Sequence, residues 1–147
     1  MFYFTSFHNI DFAAVNANVY SIVRWQPKAC HLEVLPFFVS QISLARCHYN
    51  LEDYATRVQR LLTARAEAIN AWLGNIDHTN RITLVCYCPN AISSTKQMEI
   101  YDGRFMCHGM VVSMYLSKLG YEVEWDESRE NDAIQIDSNF MPYVLLR

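Results

Sequence analysis

The sequence predicts a single α/β domain over residues 1–147, with a mainly parallel sheet flanked by helices. Three observations lead there. Short stretches rich in aromatic and β-branched residues alternate with helical patterns, an order that calls for crossover connections. One of those stretches, RITLVCYC (81–88), is apolar on both faces, as a central parallel strand must be. No internal repeat, low-complexity tract or linker marks a second domain.

Along the chain, FYFTSF (2–7) and NVYSIVRW (18–25) read as strands, the second ended by Pro27. The segment between them has room for a helical turn or two. Residues 27–50 are apolar without a period and are interrupted by Pro36. From Leu51, apolar residues recur at helical spacing through Tyr54, Val58, Leu61, Leu62, Ile69, Trp72 and Leu73. This predicts one long helix capped by Asn50 and stopped by Gly74. After the 81–88 strand comes a polar segment, 89–103, expected to be an inserted loop or lid. A second helix follows, capped by Asp102 and closed by Gly120, and then a strand at 121–126. The apolar end of the tail, within 140–146, suits a homodimer interface as well as its own sheet.

Composition narrows the function classes. Apolar residues make up 52% and charged residues 18%, which argues for a packed core rather than disorder. The formal charge is −3 and no basic run is present, so a nucleic-acid partner is not expected. No apolar run approaches a membrane span, and the N-terminus lacks a signal-peptide pattern. Five cysteines in no scaffold spacing fit reduced thiols, and a cytoplasmic protein is the expectation.

In an open α/β sheet, ligands collect beyond the C-terminal ends of the strands. Thr5, Ser6 and His8 end the first strand, Arg24 and Trp25 the second, and Cys86 and Tyr87 the central one. The helix after 103 offers its N-terminus to an anion, with Arg104 in its first turn and Cys107 and His108 one turn in. These ten residues form the expected ligand site. Arg24 and Arg104 would grip a phosphate, and Trp25 or Tyr87 would stack on a ring. Trp25 has an alternative role as a cover for the core.

The cysteines leave several readings open: buried structural thiols, ligand contacts, or a nucleophile. The catalytic candidates are Cys107, as a thiolate, and His108, or alternatively His8, as its base. Zinc is a further reading, because three cysteines precede a histidine, at 30–31, 47–48 and 107–108. The C-x-C spacing at 86–88 and the adjacent Cys-His ligands suit it poorly, and no metal or cofactor is expected. The dinucleotide, P-loop, nucleophile-elbow and zincin fingerprints are all lacking.

Three stretches resemble the family called domain of unknown function 488, especially its small bacterial and phage members. They are YSIVRWQP (20–27), LEDYATRVQRLL (51–62), and ITLVCYCP (82–89) followed by FMCHGMVVSMYLSKLGYEVEW (105–125). The resemblance implies a Rossmann-like domain and no particular chemistry. Where the family reads Cys-His-Arg, this chain reads Cys107-His108-Gly109, and its preceding gap is longer.

The leading expectation is a domain that binds, or sequesters, a small phosphorylated, nucleotide-like ligand at the strand C-termini. The alternatives are a thiol-assisted transferase or hydrolase on a similar substrate, and a phage-type inhibitor that binds a protein through the 89–103 insert.

Overall fold

The computed structural model describes residues 1–7, 18–27, 30–42, 45–48, 50–86 and 108–125. Among them are five strands: β1 (Phe2–Ser6), β2 (Val19–Ser21), β3 (Glu33–Val34), β4 (Ile82–Cys86) and β5 (Val123–Trp125). Three helices accompany them: α1 (Leu51–Ala64), α2 (Ala66–Asn75) and α3 (His108–Lys118). The sheet order is β3-β2-β4-β1-β5, and every pairing is parallel. This is the Rossmann-like α/β arrangement that the element order implied.

β4 explains why the sheet holds. All five of its residues are buried, and it pairs with β1 on one side and β2 on the other. Its side chains alternate between two cores. Ile82, Leu84 and Cys86 join Phe2 and Phe4 on the side covered by the helices, whereas Val85 packs with Phe7 and Cys30 on the opposite side. The steps from β3 to β4 and from β4 to β5 run in the same direction across the sheet. Right-handed crossovers then place α1, α2 and α3 on one face. Their buried residues Val58, Leu62, Ile69, Leu73, Val112 and Leu116 share one core with Phe2, Phe4 and Leu84.

The sequence pattern predicts a strand reaching residue 25, but β2 ends at Ser21. The Ser21 hydroxyl donates to the Val23 carbonyl (2.8 Å) and accepts from the Val23 N–H (3.2 Å), which turns the backbone out of the ladder. Gln26 then ties the loop shut: its Nε2 donates to the Leu32 carbonyl at 2.6 Å, and its Oε1 accepts from the Leu32 N–H at 2.9 Å. The unreadable stretch 27–50 contains β3, too short to show a period, and two 3-10 turns at Pro36–Phe38 and Ala45–Cys47. Pro36 opens the first turn, where a missing N–H is no loss.

The single long helix expected from residue 51 is two helices. The Asn50 cap is present, its side chain accepting from the Asp53 N–H at 2.9 Å. The Thr63 hydroxyl donates back to the Gln59 carbonyl, a bond that bends helices. At Arg65 the backbone leaves helical geometry (φ −103°, ψ 14°). The Arg65 guanidinium reaches away from the helix to the carbonyls of Pro36 (3.3 Å), Phe37 (3.4 Å) and Val39 (2.5 Å). Gly74 does not stop α2, which runs on to Asn75. The freed Leu73 carbonyl is met by Nε2 of His78 at 2.6 Å, so the imidazole acts as the cap. Trp72 fills the space between α2 and the strands, with ring contacts to Phe2, Tyr20, Phe37 and Phe38 at 5.6–6.0 Å.

Gly120 closes α3 as expected. At φ +96° it donates to Ser117, while Tyr121 donates to Leu116, which together form a Schellman cap. The expected Asp102 cap, the 89–103 insert, the turn between the first two strands and the tail all lie outside the described residues.

Two stability outcomes follow. Leu84→Ala should cost about 2–5 kcal/mol in urea unfolding, because the side chain is fully buried at the centre of the sheet. Gly120→Ala should cost about 1 kcal/mol or more through backbone strain alone, since an added Cβ would meet nothing within 4 Å. An unchanged unfolding midpoint for Gly120→Ala would contradict the left-handed cap.

Candidate functional site

Beyond the C-terminal ends of β2 and β3 lies a cleft of about 460 Å³. Its walls come from the loop after β2, the 34–42 segment, the 3-10 turn at 45–47 and one face of α1. Four arginines line it: Arg24, Arg46, Arg57 and Arg65. Among the described residues, no acidic side chain lines it. The chain has only twelve Lys and Arg residues against fifteen Asp and Glu, so this concentration runs against its overall charge.

Local structure explains each arginine's place. Arg57, Leu61 and Arg65 stand four residues apart, so they share one stripe of α1 facing the 34–42 segment. Arg57 is steadied by Asp53, its Nε lying 3.2 and 3.1 Å from the two carboxylate oxygens. That hydrogen bond and the carboxylate charge raise the Arg57 pKa still further. Arg65 is committed to the carbonyls of 36, 37 and 39, so it builds the wall and adds charge without a free fork. Arg24 is exposed and makes no hydrogen bond or ion pair among the described residues. Arg46 is likewise exposed, on the 45–47 turn.

Cys47 forms part of the cleft lining but is only 1% exposed. Burial pushes its thiol above the usual value near 9, the Asp53 carboxylate adds to that, and Arg57 opposes it. A thiol kept protonated is a poor nucleophile. Cys30 is raised by burial as well.

A second, smaller cleft of about 340 Å³ adjoins the first, and the two share Arg24, Val39 and Gln41. Its outer wall is Trp25, which is 79% exposed. This tryptophan covers no core.

The structure brings together Arg24 and Trp25 from the sequence-expected site. Thr5 and Cys86 are elsewhere: both are buried, the Cys86 thiol pointing at the Thr5 carbonyl 3.7 Å away, and neither is among the lining residues of these two clefts. Ser6 ends β1, paired with Cys86. His108 is the first residue of α3. His8, Tyr87, Arg104 and Cys107 lie outside the described residues. Sequence reasoning left Arg46, Arg57, Arg65 and Gln41 out of the expected site. The 57–61–65 spacing was the available signal, two arginines on one side of an amphipathic helix.

In the two Cys-His pairs that lie wholly among the described residues, the two side chains differ in burial. Cys30 and Cys47 are buried, while His31 and His48 are exposed. Among the described residues, no group of three or more His, Cys, Asp or Glu side chains could hold a metal ion. None of their helices is long and apolar enough to cross a membrane. No family model, curated protein or solved structure matches the chain.

The buried thiols carry a pH consequence. A pKa raised by folding stabilises the fold below the unfolded thiol value and stops doing so as pH rises through the folded one. Stability measured by urea unfolding under reductant should therefore decline above about pH 9, and Cys47→Ala should make that decline shallower. Tyr115, also raised by burial, adds a further decline at higher pH. An identical slope in Cys47→Ala would show that this thiol is not protected by the fold.

Proposed function

We propose that the cleft beyond β2 and β3 binds the anionic end of a small phosphorylated ligand. The observation that carries this reading is the convergence of four arginines on one concave surface of an acidic protein. Guanidinium groups are suited to phosphate oxygens, which they can meet with paired hydrogen bonds. The volume falls within the range of small-molecule sites, and the place is where open α/β sheets hold their ligands. Arg24, Arg46 and Arg57 supply the grip. Arg65 holds the 36–39 backbone that forms the opposite wall.

Binding, rather than turnover, is the reading the described residues support. The thiol among the lining residues is buried and kept protonated, and the described lining residues include neither a carboxylate nor a histidine to act as base. The resemblance to domain of unknown function 488 supplies a compatible frame and adds no chemistry to it.

Isothermal titration calorimetry with inorganic pyrophosphate tests the proposal. Saturable binding should weaken as salt rises, and Arg24→Ala should lower affinity about tenfold or more, the worth of a charge-assisted hydrogen bond. Arg46→Ala should act in the same direction. If the Arg24→Ala/Arg46→Ala double variant binds pyrophosphate as the wild type does, the cleft is not the anion site.

A further inference from the structure

The arginine cleft does not stand alone. It runs into the smaller cleft walled by Trp25, and Arg24 and Gln41 border both. The two parts differ in chemistry: the larger offers guanidinium groups, the smaller an indole face, the Val23 and Val39 side chains and the Ser40 hydroxyl. A ligand filling both needs an anionic end and a planar, mostly apolar end a short distance apart.

Trp25 is placed to meet such a ring. A tryptophan with four-fifths of its surface in water contributes little to folding, yet the loop that carries it is anchored at both ends. Ser21 turns the chain out of β2, and the two Gln26–Leu32 hydrogen bonds close the loop just beyond the indole. Fixing the backbone beforehand lowers the ordering cost of binding. The indole face stacks on any nucleobase.

We infer that the ligand is a nucleotide, its phosphates in the arginine cleft, its base against Trp25 in the adjoining cleft, and Arg24 at the junction. This rests on the phosphate reading above and adds the base to it. The exposed Gln41 amide, with both a donor and an acceptor, borders the same space and can read a base edge.

The test compares inorganic pyrophosphate, ribose 5-phosphate, ADP and UDP by isothermal titration calorimetry on the full chain. At least one nucleotide should bind about tenfold more tightly than pyrophosphate, the modest end of base–aromatic stacking. Trp25→Ala should remove that advantage and leave pyrophosphate affinity unchanged, while Trp25→Phe should keep most of it. The exposure of Trp25 makes its loss harmless to the fold, which the unfolding midpoint verifies. If neither nucleotide outbinds pyrophosphate, or if Trp25→Ala leaves the advantage intact, the base subsite is wrong and the phosphate site stands. If none of the four compounds binds, the phosphate reading fails and takes the nucleotide with it.

Discussion

The insertion of β4 between β1 and β2 is the constraint on which the rest of the molecule depends. A strand buried on both faces and paired on both sides has one place to go, and the chain reaches it only by crossing back over the sheet from β3. That return carries α1 and α2. It fixes the helical face of the sheet, and it brings the part of α1 from Arg57 onward beside the segments that follow β2 and β3. The cleft is a by-product of this path. Had β4 paired at the outer edge, the 57–61–65 stripe would have faced another part of the chain.

Within that frame, polar side chains on backbone atoms do the positioning. Ser21 and Gln26 shape the loop that carries Arg24 and Trp25, and Arg65 ties the carbonyls of Pro36, Phe37 and Val39 to the end of α1. His78 closes α2 and at the same time stacks on Tyr121, with ring centroids 5.1 Å apart, beneath the edge of Phe2. Asp77 accepts from Thr79 and Asn80 in the turn that leads into β4, which holds its carboxyl below the usual range. Each bond is worth little by itself, about 0.5–1.5 kcal/mol net. Together they determine where the loops lie, because the apolar core cannot specify a surface segment.

Charge distribution gives the site its character. A net charge of −3 would repel a phosphorylated ligand, yet four of the twelve basic residues line one concavity. Local potential in a cleft outweighs the distant net charge once solvent ions screen beyond about 8–10 Å. Asp53 offsets part of this at Arg57 but in return holds that guanidinium in place and fully charged.

The strands Phe2–Ser6, Ile82–Cys86 and Val123–Trp125, the Asn50 cap and the Gly120 stop were legible in the residues, because each rests on local chemistry: β-branched and aromatic runs, a capping amide, a glycine at positive φ. The α/β class followed from element order alone, and the same order is what directed attention to the strand ends. The break at Arg65, the capping of α2 by His78 in place of Gly74, and the two-residue β3 were not legible. Each is made by partners far off in the chain or is too short to show a period. Of the expected site, Arg24 and Trp25 came together, whereas Arg46, Arg57 and Arg65 were hidden in a segment without pattern and on a helix read for its apolar stripe. The sequence by itself determined which segments become strands and helices, since periodicity and capping act within a few residues. Only the tertiary structure decided which charges meet, since that depends on the order in which the strands pair.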